Sequence, residues 1–339
     1  MARFTILGLA LPVLLSLTAC DDGTGKTSAD FTESDALGPT PKGEPVEYPI
    51  VLAHGFDASP TNRWGFYRVA EALEADGHEV YVAIVPPYDS PEVRAVALAE
   101  VVDAALADGH EKVNVIAHSM GGLDARHMIS QLGYGDVVAS LTTISSPHRG
   151  SKVADTMLKV LDGVHADDDL VDGLASAWGV TFNDLADDSH VRAALEGISE
   201  GRSDSFNEEN PDDANVYYQS WAGVSSAFGI KNPRDKNACE GEMLGNFHKA
   251  DKMNATLLPM GAIVGGIKLT PNDGMVAVES AKWGEFRGCI PADHLDEVGQ
   301  MRHDKPDSRT KFDHVRFYRN VAFELVVGEE ERVEAAAVG

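Results

Sequence analysis

The 339-residue chain is predicted to adopt an α/β fold, a mostly parallel sheet flanked by helices. Three observations predict it. Short apolar runs alternate with amphipathic segments, one strand enters a helix through a tight small-residue turn, and a long helical insertion breaks the alternation once. Tyr48–Ala53 reads as an apolar strand. Trp64–Ala75 has helical spacing, and Val80–Val85 is β-rich. Ser90–Ala107 is a helix with Val96, Leu98, Val101 and Val102 among its apolar residues. Val113–Ala117 and Leu141–Ile144 are strands, and strand pattern returns at Val216–Ala222. Runs this short and apolar suit parallel strands covered on both faces. Between Gly150 and Pro211 the pattern is mostly helical, with Leu161, Leu174, Trp178 and Leu195 among dense Asp. That insertion, at about 150–210, stands where a lid or cap belongs. A packed helical subdomain that never moves fits the same pattern.

The tight turn is the most informative segment. Lys112-Val-Asn-Val-Ile-Ala-His-Ser119-Met-Gly-Gly122 runs from strand into the helical stretch Leu123–Ile129. Small residues at Ala117 and Gly121 flank Ser119 where bulk would collide, which is the pattern of a nucleophile elbow. Alanine replaces the usual first glycine. A serine hydroxyl needs a base to take its proton and a carboxylate to orient that base. Chains built around such an elbow carry Ser, then Asp or Glu, then His, so His127, His148, His165, His190, His248, His294, His303 and His314 all qualify. Position late in the chain favours His294, His303 and His314 without choosing among them. Near the start, Pro49–Phe56 is a strand ending in the turn His54-Gly55-Phe56. The backbone N–H groups of Phe56 and Met120 would there form an oxyanion hole. His54 reads as a loop-holding residue.

Six segments resemble the secreted bacterial true lipases of the Pseudomonas and Burkholderia type, triacylglycerol lipases of the α/β-hydrolase superfamily. They are Tyr48–Phe56, the elbow, Ser146-Pro-His-Arg-Gly-Ser151, Tyr218-Gln-Ser-Trp-Ala-Gly223, Asn272-Asp-Gly-Met-Val276 and Asp293-His-Leu-Asp-Glu-Val298. They run in the family's order across about residues 47–325. The resemblance implies the α/β-hydrolase fold, with Asp273 as the acid and His294 as the base. It also implies one structural Ca²⁺, with Asp251 and Asp296 matching the carboxylate ligands. Gln300 and the carbonyl of Asp304 match the neighbouring positions, an oxygen-rich set that suits calcium. Solvated surface carboxylates are the plainer alternative. A lipase-specific foldase is a further partner that the family suggests. The implied activity is hydrolysis of long-chain acylglycerol esters through an acyl-enzyme. The alternatives are a short-chain carboxylesterase, a polyester depolymerase, or a catalytically silent lipid-binding surface protein. Two features depart from the family. Glu279 stands where the relatives place a disulfide cysteine, and the relatives are generally released rather than anchored.

The ends carry targeting information. Arg3, the apolar run Ile6–Leu17 and Leu17-Thr-Ala-Cys20 read as a lipoprotein signal over residues 1–19, with lipid on Cys20. An ordinary secretory signal cleaved near Ala19 is the alternative. Residues 20–46 are acidic and rich in Gly, Pro, Ser and Thr, as in a flexible tether. The enzyme domain spans 47–328, and 329–339 form a solvated tail. With Cys20 lipidated, Cys239 and Cys289 remain as an even pair in an oxidising compartment, so a disulfide is expected. The alternative is two unpaired thiols. The net charge of −26 argues against nucleic acid as a partner.

Overall fold

The computed structural model describes residues 37–56, 65–163, 189–245, 248–300 and 305–325. The strands are Ile50–Ala53 (β1), Val80–Val82 (β2), Val113–His118 (β3), Val138–Ile144 (β4), Tyr217–Gly223 (β5), Ser225–Ser226 (β6), Asp251–Lys252 (β7) and Glu285–Ile290 (β8). Six of them form one sheet in the order β2-β1-β3-β4-β5-β8, and every neighbouring pair is parallel. β6 and β7 form a separate short ladder.

Alternation along the strands feeds two cores. Ile50, Leu52 and Ile116 face one side, where they meet Val69 and Leu73 and the helix over 314–325. Val51, Ala53, Val115 and Ala117 face the other, against Leu98, Val102, Met128 and Ile129. The helices are Val69–Ala75 (α1), Pro91–Ala107 (α2), Gly121–Gln131 (α3), Lys152–Leu161 (α4), Ser189–Gly197 (α5), Glu200–Glu209 (α6), Asp235–Ala238 (α7), Leu258–Gly265 (α8), Val278–Ala281 (α9) and residues 314–325 (α10). Ser90 caps α2 by accepting from Val93 N–H, and Pro91 fills the first helical position, where no N–H is needed.

Several boundaries differ from the sequence expectation. α1 begins at Val69, because Arg68 takes a left-handed φ of 60° that no preceding helical residue can share. β2 ends at Val82, since only the stretch facing β1 finds ladder partners. β4 begins three residues early, at Val138. Residues 37–46, expected within a tether, lie against α10 instead. Arg316 Nη2 donates to Gly38 O at 2.6 Å, Asn320 Nδ2 to Pro39 O at 3.2 Å, and Val46 is buried in the first core. Of the insertion, residues 164–188 lie outside the described residues, as do Cys20 and the tail. The described parts pack Met157, Val191 and Leu195 into a third core with Met120 and Leu123.

Cys239 and Cys289 form a disulfide, Cα atoms 5.5 Å apart, which ties α7 to β8. Closing a loop of this size stabilises the fold by about 4 kcal/mol. Among the described residues no helix is long and apolar enough to cross a membrane.

Candidate active site

β3 delivers Ser119 to the carboxyl end of the sheet. Its N–H continues the ladder to Ile144 O at 2.9 Å, yet its φ is +55°, so strand turns to helix within one residue. That conformation is strained for a serine and characteristic of an elbow. Small neighbours make it possible. A Cβ on Gly121 would lie 2.5 Å from Ala53 O, and one on Gly55 would lie 2.6 Å from the Ser119 Cβ. Phe56 and Met120 therefore flank the serine from two sides, one through Gly55 and the other along the chain.

Ser119 Oγ and His294 Nε2 are 2.9 Å apart, and His294 Nδ1 lies 2.8 Å from Asp273 Oδ2. Asp273 is fully buried, and its second oxygen accepts the N–H groups of Met275 and Val276, each at 2.7 Å. Burial alone would raise its pKa. The facing His294 and the two backbone donors outweigh burial and hold the carboxyl below its ordinary value.

The other candidate histidines are elsewhere. His148 is buried beside Thr143, His314 meets Tyr67 O at 2.8 Å, His127 meets Asn210, and His190 pairs with Asp89 on the surface. His248 lies beside exposed Lys231, and His165 and His303 are outside the described residues. His54 contacts Gly55 O at 2.9 Å and accepts from Val85 N–H. Burial, then nearby Arg94, lowers its pKa to about 4, so it stays neutral as a loop fastener.

Two supports had escaped the sequence. Arg94, fully buried on α2, donates to His54 O at 2.8 Å and Gly55 O at 3.2 Å, while its Nε binds Asp124 of α3. It fixes the turn that carries Phe56. Nothing in an amphipathic helix pattern marks one arginine as inward-facing. The second support is Glu297, whose oxygens lie 2.9 Å from His118 Nε2 and 2.7 Å from Ser145 Oγ. Burial, then the Asp273 charge, pushes Glu297 well above the usual carboxylate range, while burial, then His294, pushes His118 well down. The two bridge β3 and β4 as neutral partners beneath His294. Glu297 stood in plain view inside Asp293–Val298.

Beside the site, Asp251, Asp293 and Asp296 bring carboxylate oxygens within 4.8 Å of one another. Asp293 was not anticipated, although it directly precedes His294. Its oxygens accept from Asn254, Leu295 and Asp296 N–H groups. Asp251 Oδ2 is buried with no hydrogen-bond partner among the described residues. Burial, then the neighbouring carboxylates, raises Asp251 to about 7 and Asp296 to about 8. A hard divalent cation fits a buried oxygen of this kind among three carboxylates. Gln300 closes the same loop through its N–H to Leu295 O, and Asp304 is outside the described residues.

Ser119 and His294 open into a cleft lined by Phe56, Ile198, Leu257, Met275, Val276 and Leu295, enclosing about 650 Å³ with its mouth included. A strained serine in line with a histidine and a buried acid, on a parallel sheet, belongs to the serine hydrolases of the α/β-hydrolase fold. The family model for the alpha/beta hydrolase fold matches residues 48–212. The triacylglycerol lipase of Vibrio cholerae is 30% identical over 278 residues, covering 76% of this chain and 81% of that protein. That of Burkholderia plantarii is 27% identical over 294 residues, covering 76% and 80%. In structure, Staphylococcus hyicus lipase superposes with a TM-score of 0.55 at 19% identity, over 88% of this chain and 98% of that one. The chain belongs to the triacylglycerol lipase family.

Proposed function

We propose that this enzyme hydrolyses long-chain acylglycerol esters at a lipid–water interface. The observation that supports it best is the apolar cleft ending at the Ser119–His294–Asp273 line. Ser119 Oγ attacks the acyl carbonyl while His294 Nε2 takes its proton. Asp273 holds the imidazole with Nδ1 protonated and stabilises the cation that forms. Negative charge on the carbonyl oxygen is met by the N–H groups of Phe56 and Met120, a pair whose loss of one member costs about 3–4 kcal/mol at comparable sites. His294 returns the proton to the leaving glycerol oxygen, and the acyl-enzyme is then cleaved by water that His294 activates in the same way.

A calcium ion held by Asp251, Asp293 and Asp296, with Gln300 and the Asp304 carbonyl close by in sequence, would neutralise their charge and steady the loop carrying His294. Export and attachment through a lipidated Cys20 would keep the enzyme at a membrane surface, and the insertion near 150–200 would open there as a lid.

Ser119→Ala is expected to lower kcat at least about 10⁴-fold with little change in folding. A series of p-nitrophenyl esters from short to long acyl chains, followed by emulsified triolein, reads the substrate class. Rates that peak on the short monomeric esters, with no gain on emulsion, would favour a short-chain esterase and count against the lid.

A further inference from the structure

Four large apolar side chains crowd two adjacent turns. Phe228 and Ile230 are 73% and 68% exposed, and Ile267 and Leu269 are 104% and 60% exposed. The turns are tied together, since Asn232 Nδ2 donates to Leu269 O at 2.8 Å and Arg234 Nη1 donates to Lys268 O. Arg309 Nη2 braces the first turn by donating to Gly229 O at 2.7 Å. Leu269 holds a left-handed φ of 49°, a conformation that a leucine adopts only when the surrounding structure imposes it.

The charge here runs against the rest of the molecule. The chain has 54 acidic and 28 basic residues, yet residues 226–236 and 266–270 hold Lys231, Arg234, Lys236 and Lys268 against one acid, Asp235, which is buried. Both turns also sit on the catalytic side of the sheet. The first follows β6, whose Ser225 N–H bonds Asn272 O beside Asp273. The second joins α8, packed in the third core with Met120, to the Asp273 loop.

We propose that these two turns are a docking surface for an anionic lipid layer, the apolar tips entering the acyl region and the lysines meeting the headgroups. Apolar projections ringed by cations have that complementarity, whereas the acidic remainder of the surface is repelled. The inference rests on the lipase reading, because docking here brings the cleft to its substrate.

The test uses the mature chain from residue 20 carrying Cys20→Ser, so that neither the apolar leader nor an acyl chain contributes. Its partners are vesicles of phosphatidylcholine alone or mixed equally with phosphatidylglycerol. The chain is expected to sediment with the mixed vesicles and to be released as salt is raised. Lys231→Glu and Lys268→Glu each weaken partition about fivefold. Phe228→Ser combined with Ile267→Ser weakens it about tenfold or more. Turnover of a soluble short-chain ester stays unchanged in all of them. Equal binding to both vesicles, or binding unaltered by these substitutions, overturns the proposal. So does a dimer in lipid-free solution that Phe228→Ser with Ile267→Ser dissociates, which would assign the surface to a second copy. A chain that binds vesicles as described but leaves soluble ester intact overturns the lipase reading and spares the docking surface.

Discussion

Carboxylates flank His294 in two sets, buried Asp273 on its own and Asp251 and Asp293 with half-buried Asp296, and their surroundings treat charge in opposite ways. Asp273 faces an imidazole and two N–H donors, so its pKa falls although it is fully buried. Asp251 and Asp296 face each other and Asp293, so burial and repulsion act together and raise them to about 7 and 8. The first group is electrically complete as a protein structure. The second is not, and Asp251 Oδ2 shows the gap. A buried carboxylate is a stabilising element only with its counter-charge present. The contrast therefore separates a carboxylate that already has its counter-charge from a cluster that lacks one among the described residues.

The strongest way to break the contrast is Asp273→Asn. The amide keeps the shape but cannot stabilise protonated His294, so kcat should fall by about 10³–10⁴-fold. The melting temperature should move far less than activity does, because the Met275 and Val276 N–H groups can still bond the amide oxygen. Steady-state kinetics with thermal denaturation reads both. A variant within tenfold of the wild type would mean that Asp273 does not carry the charge assigned to it.

How much of this was legible in the sequence follows from the reach of each signal. Strands such as Ile50–Ala53 and the elbow are local patterns, and period, small residues and β-branching announce them without tertiary help. The choice among His294, His303 and His314 is not local. It depends on which loop folds back over β3, and only resemblance to a family supplied it. Asp293 and Glu297 lay inside a motif already singled out. Their roles depend on neighbours 42 and 179 positions away in sequence, Asp251 and His118, which no window along the chain brings together. Arg94 was the least legible, because an inward-facing arginine breaks the rule that charged residues mark the wet side of a helix. The element boundaries differ for another reason. Arg68 and Val82 end elements through backbone conformation and missing partners, neither of which composition encodes.

Calcium removal sharpens the same comparison at a smaller magnitude. A ligand at a hundred times its Kd stabilises by about 2.7 kcal/mol, so chelation should lower the melting temperature by roughly 5–10 °C. The loss should depend on pH. A carboxylate whose pKa is higher folded than unfolded takes up protons on folding, so it weakens the fold increasingly as pH rises between the two values. For Asp251 and Asp296 that window runs from about 4 to about 8, so the chelated protein should gain stability as pH is lowered from 8. Asp273 has the reverse sign, with its contribution present at neutral pH and lost only as pH falls below the usual carboxylate range. Melting curves from pH 5 to 8, with and without chelator, read this directly. A chelator effect that is absent, or flat across that window, would remove the cation from the account.

The smallest effect is the most discriminating, because the same Asp-to-Asn exchange changes sign with conditions. Asp251→Asn removes one of three mutually repelling charges while leaving an oxygen in place. In chelator at pH 8 the variant should melt about 2–3 °C above the equally chelated wild type, as expected for roughly 1 kcal/mol of relieved repulsion. With calcium present it should melt lower than the wild type, because a ligand charge is gone. No such crossing is expected at Asp273, where the carboxylate already has its partner. If Asp251→Asn destabilised the chelated protein as well, Asp251 would be an ordinary hydrogen-bonded core acid, and the distinction between the two carboxylate groups would disappear.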